Sequence, residues 1–171
     1  KQIIQHPPIL KDFDFLVFPG GFTYGDAISA GQLFAMQIKQ FLYDSLLEFI
    51  QQGKLILGIC NGFQILIKAG LLHSDLPTSI SLTHNQHLRF ECRWVYLKVE
   101  STLSPLLSQN EILFLPVAHE QGRFVGNNQT LQKLDEEGQL ILKYVHPKEF
   151  TATLSYPANP NGSVKAIAGC C

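Results

Sequence analysis

Charge is scarce in this sequence. Only 16% of its 171 residues are Asp, Glu, Lys or Arg, against roughly 25% in a typical domain. The 13 basic and 14 acidic residues leave a net charge of −1, so there is no positive excess for a protein that holds nucleic acid by bulk electrostatics. Long apolar runs are missing too: none approaches the ~20 residues that a membrane-spanning helix requires. No basic, then apolar, then small-residue signal opens the chain. Cysteine is sparse, with Cys60, Cys92, Cys170 and Cys171 at spacings that match no zinc motif. The adjacent Cys170 and Cys171 are poorly placed to pair with each other. A reduced, cytoplasmic protein is the simplest reading. An initiator methionine is also lacking: residue 1 is Lys, and the chain stops at Gly169-Cys170-Cys171 with no polar tail. The expectation is a single domain over residues 1–171, cut short at both ends.

What is present is apolar. A hydrophobic fraction of 46% at this length supports a sizeable core and excludes disorder. Phe13 to Phe18 is a short apolar run stopped by Pro19-Gly20-Gly21, which reads as a buried strand. From about Ile28 to Gln51, apolar residues recur at helical spacing, with Gly53 where a helix would end. Leu55-Ile56-Leu57 reads as a second buried strand, followed by a helix from about Asn61 to Ala69 ended by Gly70. Strand, helix, strand, helix is the pattern of a parallel sheet with crossover helices. Farther on, Leu88 to Val99, Ile112 to Val117 and Leu140 to Val145 read as strands without long helices between them, and Val164 to Ala168 begins another. Tyr156 to Ser163 is rich in turn residues. The expected fold class is therefore α/β: an open, mainly parallel sheet with helices on both faces and a short antiparallel excursion.

The stretch Leu55 to Leu66, LILGICNGFQIL, carries the chemistry. A buried strand runs into Gly58-Ile59-Cys60-Asn61-Gly62 and then a helix, the G-x-nucleophile-x-G elbow with Cys in place of Ser. Such a nucleophile sits on a sharp turn, and the glycines two residues to either side remove side chains that would clash. The helix start aims free N–H groups and the positive end of its dipole at Cys60, the setting in which a thiol becomes reactive. The Asn61 N–H is placed to donate to a developing oxyanion. Pro19-Gly20-Gly21-Phe22 ends the other predicted strand, so both loops fall at one sheet edge, where ligands of open parallel sheets bind. Gly-Gly backbone can approach a substrate closely. No Lys-Ser/Thr follows to make this a phosphate loop.

These residues resemble class I (triad) glutamine amidotransferases. VFPGGFTYGD (Val17 to Asp26) and LGICNGFQIL (Leu57 to Leu66) carry the likeness. AGLL (Ala69 to Leu72), RFECRWV (Arg89 to Val95), PVAH (Pro116 to His119) and NPNGS (Asn159 to Ser163) extend it to the glutaminase subunits of phosphoribosylformylglycinamidine synthase, an enzyme of purine biosynthesis. The resemblance implies that Cys60 attacks the side-chain amide of glutamine and releases ammonia through a γ-glutamyl thioester. Gly20, Gly21 and Asn61 would line the oxyanion hole, and Gln64 would lie near bound glutamine. The ammonia would pass to a synthetase subunit, with a small accessory subunit as a further partner. No cofactor is expected on this chain; ATP and magnesium belong to the synthetase. No nucleic acid or membrane partner is expected.

The chain also departs from the family. The resemblance implies a His-Pro-Glu motif one strand and turn beyond NPNGSVKAIAG, but the chain stops two residues after Gly169, so the triad His and Glu are not present in it. His146-Pro147-Lys148-Glu149 is a decoy: it precedes NPNGS, and its Glu is three residues from the His rather than two. His119 stands in a motif that usually reads AHGEG, from which Glu120 and Gln121 depart. It is a candidate for lining the site or touching the partner, not for the base. His84 and His87 have no carboxylate or thiolate at metal-ligand spacing and read as loop histidines. Tyr24 and Asp26 follow the Gly-Gly loop, near the site or an interface. Rival readings stay open: another Cys-elbow amidotransferase or a peptidase-like enzyme, a non-catalytic or vestigial binding subunit, and a fragment of an active enzyme.

Overall fold

The computed structural model describes residues 2–26, 28–72 and 79–171. The chain divides into two compact units, Lys1–Pro77 and Thr78–Cys171. Among the described residues no helix is long and apolar enough to cross a membrane.

The first unit opens with a short helix α1 (Gln2–Gln5) and a 3-10 turn over Pro7–Asp12. Prolines at the start of that turn lose no hydrogen bond, because the first N–H groups of a helix have no internal partner. Strand β1 (Phe15–Phe18) is linked to β2 (Leu55–Gly58) through helices α2 (Gln32–Phe41) and α3 (Tyr43–Gln51), and β2 leads into α4 (Asn61–Ala69). β1 and β2 pair in parallel, Phe15 opposite Leu55 and Phe18 opposite Gly58. The single helix expected over residues 28–51 is two helices meeting at Leu42, where φ is −129°. Its apolar stripe nevertheless runs unbroken through Ala35, Ile38, Leu42, Leu46 and Phe49, all buried. That stripe packs with Phe18, Ile65, Leu66 and Ala69 into one core. Gly31 lets α2 come close to α4, since a Cβ there would meet Ile65 Cγ1 at 2.8 Å. On the opposite side of β1, Phe15 and Val17 each remain 43% exposed.

The second unit is mostly antiparallel. β3 (Ile80–Thr83) pairs with β6 (Arg123–Gly126). β4 (Glu91–Val99) pairs with both β5 (Ile112–His119) and β7 (Leu142–Tyr144), and β7 with β8 (Ile167–Gly169), giving the order β5-β4-β7-β8. One helix, α5 (Asn128–Glu136), is started by Asn127, whose side chain accepts from the Thr130 N–H at 2.8 Å. The α/β class stands, but the antiparallel part, expected as a short excursion, holds most of the described strands. Parallel neighbours need a crossover connection of a dozen or more residues, and β1 to β2 is the described pair joined in that way.

Candidate active site

The nucleophile elbow forms because two glycines let three elements share one space. The Ile59 N–H extends the ladder beyond β2 by donating to Phe18 O at 2.9 Å. The chain then turns at Cys60, with φ 53° and ψ −111°, a conformation that L residues rarely adopt and that costs about 1–3 kcal/mol. The Gly62 N–H closes the turn on Ile59 O at 2.9 Å, and the Gln64 N–H donates to Cys60 O at 3.1 Å. A Cβ on Gly62 would lie 1.9 Å from Phe18 O, and one on Gly58 would lie 2.6 Å from Leu66 Cδ1 and 2.9 Å from Gly62 O. Strand end, turn and helix start therefore touch backbone to backbone, and Cys60 is left exposed at the start of α4.

The Gly-Gly loop abuts this turn. A Cβ on Gly20 would fall 3.2 Å from Cys60 Cβ and 3.9 Å from its Sγ. Gly21 has φ 136°, in the region that favours glycine, and its N–H has no partner among the described residues. The next residues fold into a tight turn, Thr23–Asp26, with Tyr24 and Gly25 both at positive φ. Tyr24 donates through its hydroxyl to Gln37 Oε1 at 2.7 Å. The structure thus brings Gly20, Gly21, Cys60, Asn61 and Gln64 together, as the sequence expects. Asn61 and Gln64 are buried, and Asn61 Nδ2 donates to Gln64 Oε1 at 3.1 Å. Thr23, which the sequence did not single out, donates its hydroxyl to Asn61 Oδ1.

His119 belongs to the second unit, at the end of β5. Its Nδ1 faces Asn85 Oδ1 at 3.1 Å and its Nε2 faces Asn161 Nδ2 at 3.5 Å. The first contact requires a proton on Nδ1, since Asn85 Oδ1 can only accept. Burial lowers the His119 pKa from its ordinary value, against a backbone hydrogen bond and the charge of Glu91. Asn161 also donates to Gly122 O at 2.8 Å and to the Tyr144 hydroxyl at 3.0 Å, and accepts from Ser163. Burial pushes the Tyr144 phenol up to about 12. Asn159 Oδ1 accepts from the N–H groups of Gly162 and Ser163. Within the turn-rich segment, Asn159, Asn161 and Ser163 thus form a satisfied buried network, while Tyr156 is exposed.

The remaining histidines separate. His84 is exposed. His87, read as a solvent-facing loop residue, is instead half-buried: its Nε2 lies 3.2 Å from Glu91 Oε1 and 3.0 Å from Pro160 O. Glu91 is buried and also engages Arg93 and the Tyr156 hydroxyl, and its hydrogen bond is the main reason the Arg93 pKa rises. A buried carboxylate needs such partners, which is why a histidine three residues from another is drawn inward. His146 Nδ1 and Glu149 Oε2 meet at 2.5 Å, a pairing local to one turn. Among the described residues no three His, Cys, Asp or Glu side chains cluster to hold a metal ion.

The comparison that decides the family covers every residue: the profile of the CobB/CobQ-like glutamine amidotransferase domain matches residues 1–171. The chain belongs to that family. It is 42% identical over 175 residues to the phosphoribosylformylglycinamidine synthase subunit PurQ of Methanococcus maripaludis, covering 100% of this chain and 64% of that protein. It is 38% identical over 172 residues to the same subunit of Dehalococcoides mccartyi, covering 99% of this chain and 66% of that protein. Among solved structures, that of PurLQS from Thermotoga maritima superposes with a TM-score of 0.65 at 31% identity, covering 91% of this chain and 61% of that one. This amidotransferase domain chain thus spans about 64% of the length of the Methanococcus relative. The elbow and the Gly-Gly loop both lie within the matched residues.

Proposed function

We propose that this chain is the glutamine-hydrolysing part of phosphoribosylformylglycinamidine synthase. The observation that carries the reading is the strained turn at Cys60, exposed at the start of α4 with Gly20 against it. The Cys60 sulfur attacks the amide carbon of the glutamine side chain. The N–H groups of Gly21, beside Gly20, and of Asn61 receive the oxyanion. The C–N bond breaks, ammonia leaves with the proton taken from the thiol, and a γ-glutamyl thioester remains on Cys60. Water then hydrolyses the thioester to glutamate and returns the thiol. Gln64, one turn into α4, flanks bound glutamine.

The proton-accepting His and its Glu are assigned to the additional length of the relatives. The ammonia goes to a synthetase subunit, where ATP and magnesium drive conversion of the formylglycinamide ribonucleotide amide to an amidine, with a small accessory subunit in the assembly. Both compact units work as one amidotransferase domain in the cytoplasm, an assignment supported by a family profile that runs through both.

The test is labelling of the full-length natural chain, with its synthetase partner present, by a glutamine-mimicking electrophile followed by intact mass and peptide mapping. One adduct is expected, on Cys60, and Cys60→Ser should lower glutamate release by on the order of 10,000-fold or more. An adduct elsewhere, or undiminished glutamate release by the variant, overturns the reading.

A further inference from the structure

The oxyanion hole read above takes its donors from two separate stretches of chain, the Gly20-Gly21 loop after β1 and Asn61 at the start of α4. Their spacing decides whether both N–H groups reach one oxygen. Side-chain hydrogen bonds among the described residues hold residues 20–31 to the helices. Tyr24 reaches Gln37 on α2, and Lys68, near the end of α4, reaches Ser29 and Ala30. A further one arrives at the elbow: the half-buried Thr23 donates its hydroxyl to Oδ1 of Asn61, the residue that follows the nucleophile. Asn61 is itself fixed from the other side, since its Nδ2 donates to Gln64 Oε1 at 3.1 Å. The loop residue two positions after Gly21 is thereby tied through one buried amide to a helix residue read as flanking the substrate.

We propose that Thr23 is a positioning residue for glutamine hydrolysis, setting the separation of the Gly21 and Asn61 N–H groups through the Thr23–Asn61–Gln64 relay. The proposal rests on the glutaminase reading. Thr23 touches no reacting atom. Its hydroxyl fixes the side chain of Asn61, and Asn61 carries the donor. An oxyanion donor acts on the transition state far more than on bound glutamine, so loosening the relay lowers kcat and leaves KM nearly unchanged.

The experiment uses the full-length natural chain with its synthetase partner and compares wild type with Thr23→Val, Thr23→Ala and Thr23→Ser. Steady-state glutamate release is measured along with alkylation of Cys60 by iodoacetamide, which has no need of an oxyanion hole. In Thr23→Val, kcat is expected to fall about 10–100-fold, the scale of a misplaced reacting geometry, with KM within about twofold and iodoacetamide labelling at the wild-type rate. Thr23→Ser, which keeps the hydroxyl, is expected to recover most of kcat. If Thr23→Val does not fold, Thr23→Ala gives the same readout with less bulk. Unchanged kcat in the variants, a rise in KM alone, or no recovery with serine overturns the inference while the glutaminase reading stands. A wild-type protein that releases no glutamate overturns both.

Discussion

At the scale of single residues, His119 gives the sharpest expectation. Its Nδ1 donates to Asn85, and burial lowers its pKa in the folded protein. The unfolded chain takes up the proton first as pH falls below the ordinary histidine value of 6.5. His119 therefore contributes its full stability above that value and loses it as pH drops toward the folded pKa. Thermal melts across this range should show a falling Tm on acidification, and His119→Gln should flatten the dependence. Cys60 was legible in the sequence because its glycine spacing is a backbone requirement, independent of distant residues. Thr23 was not legible: a hydroxyl in a loop acquires meaning only when the fold brings Asn61 to it. The Asn159 to Ser163 segment forms the turns expected of it, but the inward direction of its side chains was no more legible than Thr23. Asn, Pro, Gly and Ser are turn formers, and here those same amides turn inward to satisfy buried backbone groups.

Elements were readable where an apolar stripe was long. α4 was expected at Asn61 to Ala69, ended by Gly70, and is found with those bounds. The helix expected across residues 28–51 breaks at Leu42 without disturbing its stripe, so periodicity alone had no signal for the break. α5 went unread because Leu131 and Leu134 are its only apolar residues, although Asn127 stood ready as its cap. Removing that cap with Asn127→Ala should destabilise the protein by about 1 kcal/mol in urea unfolding. The packing of β1, β2 and α4 allows no such tolerance. With Phe18 O 1.9 Å from any Cβ at Gly62, Gly62→Ala should destabilise by about 3 kcal/mol or more, and urea midpoints of the two variants side by side would show the contrast.

At the scale of the whole molecule, the chain belongs to the CobB/CobQ-like amidotransferase family along its entire length, yet spans only part of relatives such as that of Methanococcus maripaludis. The β1 side chains Phe15 and Val17 stand on one side of their strand, away from the core that takes Phe18. Exposed apolar area of that kind binds hydrophobic dyes. The 171-residue chain should therefore brighten bis-ANS, and Phe15→Thr with Val17→Thr should reduce the signal while keeping strand-compatible side chains. The antiparallel share of the second unit was underestimated from sequence, because strand-like runs such as Glu91 to Val99 carry apolar residues on both faces and do not announce the direction of their neighbours. That same strand holds Trp94, the only tryptophan of the chain. Trp94 is 60% exposed, and its ring stacks on Phe114 across the β4–β5 pair at 5.0 Å between centroids. Intrinsic fluorescence is accordingly a one-channel optical gauge: it reads the outer face of a single hairpin, and a ligand or partner that shifts its emission announces contact with, or rearrangement of, that aromatic stack.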